Sequence, residues 1–187
     1  MAVASRTRRF TVEEYDRMVE VGILGADDHV ELIEGEIIEM APIGLPHESV
    51  VDRLNMLLAR GVGDRAIVRV QSSVRFPAFR SRPQPDLAVL KPRQDFYRTS
   101  GPGAADIFLL IEVMETSAAY DRETKAPLYA RAGVVELWLV DVPGRVVEVH
   151  RDPTAGTYRD VRTLRGHDTV APLAFPDLTL RVPEIVG

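Results

Sequence analysis

Apolar positions along the chain alternate between a spacing near 3.6 and a spacing near 2, the repeats of helices and strands. In TVEEYDRMVEVG, residues Val12, Tyr15, Met18 and Val19 form a helical stripe, with Thr11 and Glu14 at capping-box positions and a glycine as the stop. HVELIEGEIIEM alternates about Glu34-Gly35 and predicts a hairpin. Between Pro46 and Arg60, residues Val50, Val51, Leu54, Leu57 and Leu58 recur at helical spacing behind a proline. AIVRVQSSVRF predicts a strand, and PQPDLAVL a turn leading into a short buried strand over 86–90. Residues 91–105, holding Pro, Gly and Ser, predict a mobile loop, and the apolar run of DIFLLIEV places its strand at the centre of a sheet. A helix ending at Gly133, a buried strand in VVELWLVD, a hairpin in RVVEVHR and TYRDVRTLR, and a short strand in LTLRV complete the order.

The pattern predicts a mixed α/β chain with a central run of helix, three strands, helix, strand. Two residues break it. Glu112 interrupts a core strand, where a carboxylate costs several kcal/mol unless it is paired, hydrogen-bonded or bound to metal. Either the strand leaves the core there, or Glu112 pairs with an arginine, or it serves a site. Asp86 opens the preceding strand; if the two strands are antiparallel neighbours, both acids share one end of the sheet. Such a pair repels unless something positive lies between them, and carboxylates with a few waters suit Mg²⁺ or a similar hard cation. Lys125 shares a helix face with Leu128, Tyr129 and Ala132, and Pro127 places it in the first turn of a regular helix. A lysine there either snorkels to solvent or points at the acids. Two carboxylates and one lysine form a set able to cleave phosphodiesters: the cation activates water and the ammonium stabilises charge developing on phosphorus.

Composition narrows the class. The 187 residues suit one domain over 1–187, with a core at about 46–141, and 45% are apolar, enough for a sizeable core. No apolar run reaches the roughly 18 residues that span a bilayer. MAVASRTRRF has no apolar region after its basic residues, so no signal peptide is expected. The absence of cysteine excludes disulfides, thiolate metal sites and a cysteine nucleophile, and fits a cytoplasmic protein. Net charge is −5, but residues 11–48 carry eleven acids against Arg17 alone, while 60–98 carry nine Arg or Lys against three acids. These are either two solvated faces or an acidic lobe followed by a polyanion groove.

The ordered pieces ELIEGEIIEM, PHESVVDRLNMLL, QPDLAVL, LLIEV and YDRETKAPLYARAGVVELWLVD resemble the Uma2 family. The resemblance runs from about the first helix to the hairpin after Trp138, and the piece from Tyr120 to Asp141 is the most specific. It implies the PD-(D/E)XK nuclease superfamily and a restriction-endonuclease-like fold, with an N-terminal helix and hairpin and a C-terminal β-hairpin around the core. It implies Asp86 and Glu112 as metal ligands, the Val113 carbonyl as a further ligand, and Lys125 as the catalytic lysine. The motif departs from the superfamily pattern: Glu112-Val113-Met114 puts methionine where Glu-x-Lys has lysine, so the lysine has moved to the following helix. The expected activity is Mg²⁺- or Mn²⁺-dependent endonuclease cleavage, with DNA as partner, no membrane, and a homodimer cutting both strands. A non-catalytic nucleic-acid-binding or assembly module that keeps the nuclease shell is the alternative, and a third reading is the same site acting on RNA or a nucleotide.

Glu34, at the hairpin, either completes the metal shell or is an exposed turn acid. Gln71 either holds water or phosphate or faces solvent. His47 reads as a cap or surface residue rather than a general base, and Trp138 and Tyr129 read as core.

Overall fold

The structure, a computed structural model, describes residues 7–25 and 27–187; the first six residues, part of the segment read for a leader, lie outside them. Helix α1 (Val12–Glu20) starts at a capping box in which Thr11 and Glu14 satisfy each other's backbone N–H. It buries Val12 and Tyr15, while Val19 is 44% exposed, so the apolar stripe is narrower than its sequence suggests. Strands β1 (Val30–Ile33) and β2 (Glu36–Glu39) form the expected hairpin about Glu34-Gly35. Helix α2 (Leu45–Val62) follows, with proline in its first turn and Gly63 closing it at a positive φ.

The main sheet has six strands: β3 (Ile67–Val70), β4 (Leu87–Leu90), β5 (Ile107–Met114), β6 (Glu136–Asp141), β7 (Val146–Thr154) and β8 (Thr157–Arg165), in that order across the sheet. Only β5 and β6 are parallel. A parallel pair needs a crossover. Here it is helical: α3 (Ala118–Tyr120), a π-helical turn over Asp121–Lys125, and α4 (Ala126–Ala132). The expected run of helix, three strands, helix, strand is therefore present as α2, β3–β5, crossover, β6, and the C-terminal hairpin extends the same sheet. Short strands β9 (Thr169–Val170) and β10 (Leu180–Arg181) pair with each other, and α5 (Val182–Val186) ends the chain. No helix among the described residues is long and apolar enough to cross a membrane.

Strand alternation sorts the core into two layers. Leu109, Ile111, Val113, Trp138 and Val140 pack with Leu54 and Leu58 of α2, while Leu110, Met114, Leu137 and Leu139 pack with Leu128 and Tyr129 of α4. Each fully buried Leu or Ile contributes about 1.5–3 kcal/mol. By the same alternation Glu112 faces the crossover helix. The strand expected over 66–76 ends at Val70, because Gln71 turns left-handed (φ 44°) and the chain leaves the sheet.

Candidate active site

Asp86 and Glu112 meet as the antiparallel pairing requires. Leu87 pairs with Ile111, so the residues one step outward, Asp86 and Glu112, lie across from each other where β4 begins. The edge of β5 that faces β4 has lost its strand partner there, and the Val113 N–H donates to Asp86 Oδ2 at 2.8 Å. Within a strand, N–H and C=O of one residue leave on the same edge, so the Val113 carbonyl emerges beside this carboxylate. Asp86 Oδ1 lies 3.1 Å from His47 Nε2, and the Asp86 carbonyl accepts from the Gln71 N–H.

Lys125 reaches the same place from the crossover. Its Nζ is 3.2 Å from Glu112 Oε2, 3.5 Å from Glu31 Oε2 and 4.0 Å from Asp121 Oδ1. It is not in the first turn of a regular helix. The helix starts seven residues earlier at Ala118, and Lys125 closes a π turn in which the Ala126 N–H reaches back to the Asp121 carbonyl. Proline explains the wide turn: Pro127 offers no N–H, and its ring would collide with the carbonyl of Glu123 in a tight α-helix. The Tyr129 hydroxyl donates to Glu112 Oε1, and the Tyr120 hydroxyl to Glu31 Oε1.

Three carboxylates, those of Glu31, Glu112 and Asp121, thus surround one ammonium, and the charge of Asp86 adds to theirs. Burial disfavours charge on Lys125, but Glu112, Glu31 and Asp121 outweigh it and hold its pKa above the ordinary lysine value. The surplus falls on the acids. Burial raises the Glu112 pKa well above the carboxylate range, with Lys125 opposing and Asp121 and Asp86 adding to it. Asp121 moves up for the same first reason, burial. At His47, burial opposes charge while the hydrogen bond and charge of Asp86 favour it, with a net rise.

Among the described residues no three His, Asp or Glu side chains form a ready-made metal cage. The donor set still fits a hard cation. It consists of carboxylate oxygens with excess negative charge and an adjacent backbone carbonyl, which suits an ion that keeps several waters and takes one or two carboxylates, as Mg²⁺ does.

Asp86, Glu112, Val113, Lys125 and Gln71 all line one cavity of about 580 Å³. Glu34 does not. It occupies the β1–β2 turn in a left-handed conformation, and its carboxylate is held by Arg131 and lies 3.9 Å from Arg9. The hairpin acid that reaches Lys125 in the cavity is Glu31, on the strand itself. Glu31, Asp121 and His47 are the site residues that sequence reasoning missed. A signal existed for two of them. His47 continues the α2 stripe of Val50, Val51 and Leu54 by one turn, and it is 5% exposed rather than a surface cap. Asp121 stands one turn before Lys125. Glu31 carried no such signal, because β1 is buried on both faces over Glu31–Ile33 and alternation says nothing there.

The basic stretch resolves differently from a continuous groove. Arg75 and Arg82 both bind Asp16 of α1, at 2.6 and 2.7 Å, Arg65 pairs with Asp177 and Arg93 with Asp95. Arg75 and Arg82, two of the nine basic residues, therefore dock α1 on the core.

The family model of Uma2, described as "Putative restriction endonuclease", matches residues 12–183. An uncharacterized protein of Synechocystis sp. is 30% identical over 132 residues, 69% of this chain and 72% of that protein. The crystal structure of "a putative nuclease belonging to DUF820" from Anabaena variabilis superposes with a TM-score of 0.73 over 95% of this chain and 97% of that one. At 16% identity that likeness is one of fold.

Proposed function

The chain belongs to the Uma2 family, and from that premise we propose that its cavity hydrolyses phosphodiester bonds of nucleic acid, DNA foremost, with Mg²⁺ or Mn²⁺. The observation that carries the reading is the convergence of Asp86, Glu112 and Lys125 on one cavity at the outer end of β4 and β5. Asp86, Glu112 and the Val113 carbonyl would hold the metal, which when bound supplies an activated water and charge neutralisation at the scissile phosphate. Lys125, kept charged by its carboxylate neighbours, acts as a fixed cation. It is placed to donate from Nζ to the attacking water or to a phosphoryl oxygen, where negative charge grows. His47 and the Val113 N–H hold Asp86 by one oxygen each, which fixes the carboxylate plane. Tyr129 does the same for Glu112. The reading extends to a cytoplasmic homodimer.

The test is cleavage of plasmid and oligonucleotide DNA in Mg²⁺ or Mn²⁺. Lys125→Ala is expected to lower kcat on the order of a hundredfold with little change in KM, since an ammonium acting on developing charge contributes in the transition state. Glu112→Gln is expected to lose metal binding by calorimetry. Wild-type protein that binds DNA and cleaves nothing with either ion would instead support the non-catalytic module.

A further inference from the structure

Half of the cavity lining has no use in the hydrolytic reading. Ile38 of β2 and the consecutive Met40, Ala41, Pro42 and Ile43 all line it. These last four begin the five-residue link MAPIG between β2 and α2, which carries no charged or hydrogen-bonding side chain. The link is exposed, with Ile43 46% accessible, and so is the first residue of α2, Leu45, at 79%. It is also held in place. At its start the Met40 N–H donates to the His29 carbonyl at 2.8 Å, and at its end Gly44 caps α2, its carbonyl accepting from the Glu48 N–H at 3.1 Å. An apolar stretch held at both ends beside a phosphate-cleaving centre is a preformed wall rather than a slack loop.

Building on the phosphodiester reading, we propose that this wall receives an unpaired nucleobase, so that the substrate is a single strand or an unpaired nucleotide and not an intact duplex. The cavity, about 580 Å³, is in the range of small-molecule sites and admits a nucleotide. A nucleotide joins a phosphate to a flat apolar face, and the lining offers one partner for each. A base inside a duplex keeps its faces in the stack and cannot lay one on a side wall without being extruded. The rim argues the same way. Glu39 and Glu115 also line the cavity and would oppose the phosphates flanking the bound one. A rigid duplex holds those phosphates in place, whereas a single strand can turn them away.

The test measures anisotropy of fluorescent oligonucleotides with Lys125→Ala protein in Mn²⁺, and cleavage of the same probes by wild type. The probes are a single strand, its blunt duplex, and the single strand with a run of abasic sites. The single strand is expected to bind about tenfold or more tightly than the duplex, and the abasic strand to lose about tenfold. Ile43→Asp, at an exposed position, is expected to weaken single-strand binding similarly without lowering the melting temperature. Equal or tighter duplex binding, or an abasic strand bound like the normal one, overturns the inference. Duplex preference with cleavage leaves the hydrolytic reading standing alone. Single-strand preference without cleavage by wild type leaves the base-binding wall standing without the hydrolase. Binding of none of the probes removes both.

Discussion

Replacing Lys125 by methionine removes the cation that three carboxylates share. Its Nζ lies 3.2 to 4.0 Å from Glu112, Glu31 and Asp121, and the side chain is 8% exposed. Stranding buried charges in this way costs about 3–5 kcal/mol. For a chain of this size, roughly 2–4 °C of melting temperature accompanies each kcal/mol, so Lys125→Met is expected to melt about 6–20 °C below wild type in EDTA at pH 7. Glu112→Gln perturbs the same contact from the other side and should cost about 1 kcal/mol or less. Burial already favours the protonated form of Glu112, which glutamine imitates, and Glu31 and Asp121 remain to balance the lysine. Acidity separates the two further. Glu112 and Asp121 have folded pKa values above their unfolded ones, so their stabilising protonated state is lost as pH rises through the folded value. Removing the ammonium raises them more, and the deficit of Lys125→Met should shrink at pH 5 and grow at pH 8. Calorimetric melts of the two variants across that range provide the assay. A Glu112→Gln deficit as large as that of Lys125→Met would mean that Glu112 is a plain ion-pair partner, and the picture of surplus negative charge would fail.

Three other expectations follow from particular contacts. Glu148 is held down to a pKa of about 2, first by its hydrogen bond to His150 and then by Arg122. Its stabilisation is present above the ordinary carboxylate value near 4.5 and is lost as pH falls toward 2. Glu148→Gln should therefore cost up to about 3 kcal/mol at pH 7, with urea midpoints converging on wild type below pH 4. Pro127→Ala should let the π turn tighten into α-helix, lowering kcat about tenfold or more while the melting temperature holds or rises; unchanged cleavage would dismiss the turn as a positioning device. Arg82→Ala should lose about 1–2 kcal/mol with its Asp16 contact and leave the salt dependence of nucleic-acid binding unchanged, whereas a flatter slope would return Arg82 to the substrate surface.

Periodicity carried most of the fold. The stripes of α1 and α2, the alternation about Glu34-Gly35 and the apolar runs of β5 and β6 each depend on neighbours within a few positions, and each appears where its spacing says. The early end of β3 did not show, because Gln71 adopts a backbone conformation that no residue in AIVRVQSSVRF announces. The site divides in the same manner. Asp86, Glu112 and Lys125 stood out as charges in apolar contexts. Glu31 did not, since its burial is created by Tyr120, Lys125 and the Gln84 N–H, all distant in sequence. Glu34 and Glu31 lie on one hairpin, and only its packing on the crossover helix brings Glu31 to Lys125 while Glu34 meets Arg131.

The reach of Glu31 also bears on how the protein comes into being. Its bond to Tyr120 spans 89 residues of sequence, and Lys125 lies farther along still. Contacts of such separation form late, because the loop they close must first be ordered. A growing chain would already display the hairpin, α2 and the first strands of the sheet while its acids had no lysine to face. The cluster of acids about Lys125 would then assemble only once the crossover helix has left the ribosome and docked.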